Sequence, residues 1–115
     1  AEAKYGEALK VASERLALAR SAYGEEHAMS ATCLNDVGTF QQVFGNFDQA
    51  EQLFTQASKI QRKVLGDTHP HSIATLTNLA SLYTTKGDVS KGEAMTMLVQ
   101  ALQASAAAEA QEQAA

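Results

Sequence analysis

Few residues in this chain of 115 have side chains suited to chemistry: His27, His69 and His71, the single Cys33, and scattered carboxylates. His69-Pro70-His71 sets two imidazoles two positions apart, a pair that can ligate a transition metal or move a proton. A metal centre needs further ligands, and beyond Asp67 no cysteine or acidic residue accompanies the pair at a metal-site spacing. His27 precedes His69 by 42 positions and occupies the same slot ahead of a helix, so helix capping accounts for both better than ligation does. Cys33 has no base near it in sequence and reads as a small packed hydrophobe rather than a nucleophile. Met95 and Met97 offer adaptable apolar surface, although Met95 aligns with Leu53 and belongs with the core. No phosphate-binding loop, Ser-His-Asp set or pair of catalytic carboxylates can be assembled, so a noncatalytic chain with no cofactor and no metal is expected.

Charge and composition narrow the partners. Nine basic and 13 acidic residues give a formal charge of −4, and no basic cluster exceeds Gln61-Arg62-Lys63, which argues against nucleic acid. One cysteine cannot form an internal disulfide, which fits an intracellular, reducing compartment. No apolar run approaches the roughly 20 residues of a membrane span and the N-terminus lacks a signal-peptide core, so no membrane insertion is expected. The chain begins at Ala1 rather than methionine, as a processed or excised chain would.

The elements that must position these residues are helices. Apolar residues recur at three- and four-residue intervals, and the spacing predicts helices over 5–23, 28–44, 47–65, 70–86 and 89–103. In the first helix the inner stripe is expected at Tyr5, Ala8, Val11, Ala12, Arg15 and Leu18 or Ala19, with Leu9 and Leu16 set apart to help cover a missing A helix. Phe47, Ala50, Leu53, Phe54, Ala57, Ile60 and Val64 form the strongest pattern, in the third. Gly24, Gly45, Gly66 and Gly87 stop helices, Asn46 with Gln49 is expected to form a capping box, and Pro70 fits the first helical position. Residues 1–103 then make one helical domain, and 104–115 an alanine- and glutamine-rich tail, either a helical extension or frayed.

The helices repeat. Gly24 and Gly66, His27 and His69, Ser30 and Ser72, and Leu34 and Leu76 are each 42 positions apart, as are the small residues Ala8, Ala50 and Gly92. Thr75-Leu76-Thr77-Asn78-Leu79-Ala80-Ser81-Leu82-Tyr83 leading to Gly87, and the turn Leu65-Gly66-Asp67-Thr68-His69-Pro70, resemble the tetratricopeptide repeat in the 42-residue form of kinesin light chains. The resemblance covers about Tyr5 to Leu102 and departs from the family pattern at Ala28, Gln41, Gly92 and Thr96. It implies an all-α fold of antiparallel helix pairs stacked as a short right-handed solenoid of about two and a half repeats, in the order B, A-B, A-B.

In such a solenoid the A helices line the concave face. There the resemblance places Thr32, Asn35, Thr39 and Gln42, then Ala74, Thr77, Ser81 and Thr84, with Asp36, Asn78 and Thr85 beside them. It implies that Asn35 and Asn78 hydrogen-bond the backbone of an extended peptide. Chaperone-binding members hold a C-terminal carboxylate with lysine and arginine, and kinesin light chains meet acidic peptides with basic residues. The matching positions here hold Thr, Ser, Gln and Val43, which argues against both specificities. The expected function is a noncatalytic scaffold that binds a protein or peptide partner through Thr32, Asn35, Thr39, Gln42, Thr77, Asn78, Ser81 and Thr84 or through its open ends, within a larger assembly. The alternative is a regulatory or sensor repeat segment of a larger signalling enzyme.

Overall fold

The structure is a computed structural model that describes residues 2–114. Ala1, Ala115 and the side chain of Tyr5, expected on the inner stripe, lie outside the described residues. Five helices follow one another: α1 (Glu2–Tyr23), α2 (Ala28–Val43), α3 (Phe47–Val64), α4 (Pro70–Lys86) and α5 (Val89–Ala114). Each packs antiparallel to its neighbour in sequence, and α2 also touches α4, so the stack measures 50 × 37 × 21 Å.

A glycine in the left-handed conformation follows each of the first four helices, at 21-residue intervals: Gly24, Gly45, Gly66 and Gly87, with φ between 83° and 96°. A residue with a Cβ is strained there, whereas glycine lets the chain reverse while its amide reaches back to the last turn. The amides of Gly87 and Asp88 donate to the carbonyls of Thr84 and Tyr83 at 3.1 and 2.9 Å, and Gly45 and Asn46 repeat the arrangement.

The two turns that open A helices are also alike. The Nδ1 atoms of His27 and His69 accept from the amides of Met29 and His71 at 3.0 and 3.1 Å. The hydroxyls of Ser30 and Ser72 donate back to the carbonyls of Gly24 and Gly66. Histidine thus serves as the N-cap, as its slot in the sequence predicts, and Pro70 occupies the first turn. The capping box expected of Asn46 does not form. Its side chain makes no cap bond, and its amide nitrogen donates instead to Oε1 of Gln41, because the short Gly45 turn brings it back over the end of α2.

Two clusters make the core. Ala12, Leu16 and Ala19 of α1 pack with Ala31, Cys33, Leu34 and Val37 of α2 and Ala57 of α3, with Leu9, Leu53 and Ile60 at the margin. Ala50 and Phe54 of α3 pack with Ile73, Leu76, Leu79 and Leu82 of α4 and Val99 of α5. Phe54 is wholly buried because Gly38 leaves room for its ring: a Cβ on Gly38 would stand 2.8 Å from Cε1. Gly92 plays the same part where α4 crosses α5, since a Cβ there would meet the Thr84 hydroxyl at 2.6 Å.

The inner face of α1 keeps Ala12 and Ala19 of the expected stripe but not Val11 and Leu18. Leu9 and Leu16 point toward α2, while Val11 and Leu18 are 48% and 69% exposed. Both stripes have helical spacing, and α2 is the single helix packed on α1 among the described residues, so its position decides which stripe is covered. Beyond residue 103, α5 continues as helix to Ala114. Ala106 touches the second core cluster and the Thr68 hydroxyl donates to the Glu109 carboxylate at 2.9 Å, which anchors an alanine-rich segment already disposed to helix.

Candidate partner-binding surface

Asn35 on α2 and Asn78 on α4 meet at the junction of the two A helices. The Asn78 Nδ2 donates to the Asn35 Oδ1 at 3.0 Å, and both side chains are half-buried. That bond leaves the amide hydrogens of Asn35 and the amide oxygen of Asn78 out of the pairing, one donor and one acceptor side by side.

Around this pair stand hydroxyls turned onto their own helices. Thr32 donates to the carbonyl of Ala28, Thr39 to Asn35, Thr77 to Ile73 and Thr84 to Ala80, at 2.9 to 3.1 Å. The Ser81 carbonyl accepts from Thr85 at 2.9 Å. With their protons committed, these threonine oxygens present lone pairs, so the face is acceptor-rich, neutral and shallow. Gln42 is half-buried at the end of α2, and Thr32, Thr39, Thr77, Ser81 and Thr84 are exposed.

The expected residues do not form one pocket. Thr77 and Asn78 line an open depression of about 550 Å³ between α4 and α5, floored by Ile73 and walled by Pro70 and Ala106. Thr32 lines a different depression of about 530 Å³ between α1 and α2, with Leu18, Tyr23 and Met29. Thr84 lies at the α4–α5 crossing, against Gly92.

One polar pair escaped the sequence reading. The Thr75 hydroxyl donates to Oε1 of Gln61 across the α3–α4 junction, with Gln61 2% exposed and Thr75 fully buried. Gln61 falls on the inner side of α3 between Ile60 and Val64, and a long polar residue inside an apolar stripe was the available signal. At the opposite ends of α3 and α4, Lys86 bridges Asp48 and Glu51 at 3.1 and 3.0 Å.

His27 and His69 act as helix caps, and Cys33 packs in the first core cluster. Both capping histidines use a ring nitrogen on a backbone amide, and no group of three or more potential metal ligands gathers among the described residues. Burial, with the nearby Asp36 charge, pushes the Cys33 thiol up despite the offsetting Arg15, which favours its protonated form. Among the described residues no helix is long and apolar enough to cross a membrane.

The repeated helix pairs, their glycine stops and their histidine caps have the form of a tetratricopeptide solenoid, and the family model described as Tetratricopeptide repeat matches residues 37–107. The chain belongs to the tetratricopeptide-repeat family. Solved structures agree on the fold. BtubC (BKLC) from P. vanneervenii is similar with a TM-score of 0.83 at 19% identity, over 90% of this chain and 41% of that one. A putative kinesin light chain with nearly identical TPR-like repeats from Podosopora anserina is similar with a TM-score of 0.80 at 25% identity, over 90% of this chain and 49% of that one. The tetratricopeptide chain described here therefore spans less than half the length of either. A comparison with curated proteins finds no match.

Proposed function

We propose that this tetratricopeptide chain is a noncatalytic scaffold that binds a protein partner in a larger assembly, through its concave face or its open ends. Tetratricopeptide repeats in general act as protein-interaction modules. The observation that carries the reading for the concave face is the Asn35–Asn78 pair, whose remaining donor and acceptor match the amide and carbonyl of an extended peptide backbone. The back-bonded threonines around it add acceptors for further backbone amides. The absence of lysine and arginine from Thr32, Thr39, Gln42, Ser81 and Thr84 favours an uncharged segment over an acidic one.

Selection from a random-peptide library, followed by titration of an enriched peptide, tests the concave face. Asn35→Ala with Asn78→Ala is expected to weaken binding by about tenfold or more, as loss of a pair of backbone-directed hydrogen bonds would. Unchanged affinity in the double variant rules out the concave asparagines as the site.

A further inference from the structure

The two seams of the repeat share a cap that a single proton removes. His27 and His69 stand in extended backbone ahead of α2 and α4, and each accepts through Nδ1 from an amide of the first turn, Met29 at 3.0 Å and His71 at 3.1 Å. An imidazole accepts at Nδ1 only as the neutral ring with its proton on Nε2, whereas the imidazolium carries a proton on both nitrogens and donates from both. Cap and positive charge therefore exclude each other. Serine, threonine and asparagine cap helices with side chains that do not titrate, so histidine in this slot adds a response to acid.

Protonation has an electrostatic consequence as well. An imidazolium at a helix N-terminus meets the positive end of the helix dipole, and neither α2 nor α4 has an acidic residue in its first turn to balance it. The charged groups around each ring come from its own turn and from the helices packed on it. Around His27 stand Glu25 and Glu26, paired at 2.7 Å with Arg20 of α1 and Lys63 of α3 respectively, and the Tyr23 ring of α1 stacks on the imidazole at 4.6 Å. Around His69 stand Asp67, paired with Arg62 of α3 at 2.8 Å, Glu109 of α5, bonded by the Thr68 hydroxyl, and the His71 ring, edge-on at 4.9 Å. Those carboxylates, each already engaged, soften the charge of an imidazolium without replacing its bond to the amide.

The two seams do not depend on their caps equally. Pro70 occupies the first turn of α4, where its fixed φ favours the helix, and Ala28 stands in the corresponding position of α2. Ser30 and Ser72, both buried, hold the glycine carbonyls of the two turns and do not titrate. The start of α2 therefore leans on its histidine more than the start of α4 does.

We propose that the His27 and His69 caps make this protein acid-responsive. Protonation of the two rings releases the first turns of α2 and α4, the helices that carry the candidate partner face, and releases α2 the more. The sign follows from proton linkage. Each cap contributes stability while its ring is neutral, and that contribution fades as pH falls through the range, about 8 to 5, in which imidazole changes charge, because the unfolded chain takes up protons that a capped ring refuses.

Nuclear magnetic resonance of the intact protein, titrated from about pH 8 to about pH 5, tests the proposal. Proton–nitrogen correlation spectra of the imidazoles are expected to show an unprotonated Nδ1 in His27 and His69 at the upper end. As each ring titrates, the amide it caps, Met29 or His71, is expected to shift with it and to lose protection against hydrogen exchange by about tenfold, with the larger loss at Met29. The urea midpoint is expected to fall over the same range. His27→Asn with His69→Asn keeps a capping side chain and is expected to lose most of that fall, whereas His71→Gln is expected to retain it. Retained protection of either amide once its ring is charged overturns the proposal, as does a double variant whose midpoint falls as steeply as the parent's, or a His71→Gln variant that loses the fall. The parent spectra decide the question even where the double variant does not fold, since ring charge and amide exchange are read in one sample. None of these readouts uses a partner, so the result stands apart from the scaffold reading.

Discussion

Asn78 donates through Nδ2 to the Oδ1 of Asn35, 43 positions earlier, and this 3.0 Å bond ties the two A helices where few other contacts join them. A half-buried neutral pair of this kind contributes about 1 kcal/mol. Asn35→Ala and Asn78→Ala are each expected to destabilise the fold, and the double variant to lose less than the sum. A double-mutant cycle by urea denaturation, with a coupling of about 0.5–1.5 kcal/mol, checks it.

Gly38 and Gly92 sit in helices where alanine would ordinarily stabilise by up to about 1 kcal/mol. Here the sign reverses, because an added methyl meets the Phe54 ring at 2.8 Å in one case and the Thr84 hydroxyl at 2.6 Å and amide at 3.3 Å in the other. Gly38→Ala and Gly92→Ala are each expected to destabilise by about 1–3 kcal/mol. Gly6→Ala, with nothing within 4 Å of the added carbon, is expected to leave thermal stability unchanged or raise it.

Thr75 and Gln61 satisfy each other inside the α3–α4 junction. Thr75→Val keeps the shape but strands the Gln61 oxygen away from water, at a cost of about 1–3 kcal/mol. Pairing it with Gln61→Leu removes both polar groups, and the double variant is expected to recover most of that loss in a denaturant titration.

Two aspartates give opposite responses to acid. The hydrogen bond and charge of Arg62 hold the Asp67 carboxyl below its usual 3.8, so its contribution to stability is present above that value and fades as pH falls through the folded one. Burial raises Asp36, partly offset by Arg15, so its charged form costs stability at neutral pH and the cost disappears as pH falls through its folded value toward 3.8. Asp67→Asn is therefore expected to lower the urea midpoint at neutral pH, and Asp36→Asn to raise it. The Asp36 difference is expected to shrink as the pH falls toward about 3.8, and the Asp67 difference as it falls below that value. Denaturation curves across that range decide it.

The sequence by itself determined the helices and their repetition. The left-handed glycines, the histidine caps and Pro70 act within a few residues of themselves, so local chemistry is enough to place the ends of α2, α3 and α4 to within a residue. The exposure of Thr32, Thr39, Thr77, Ser81 and Thr84 was legible too, because each lies opposite the apolar stripe of its helix. What each side chain touches was decided only by the tertiary structure. In α1, Leu9 with Leu16 and Val11 with Leu18 have the same helical spacing, and the place where α2 lies selected the first pair as core and left the second open. Asn46 reached Gln41 instead of its own helix, Thr75 found Gln61 14 residues away, and Asn78 found Asn35 43 residues away. Each outcome depends on how two helices approach across a junction, and spacing along a single chain carries no record of that approach.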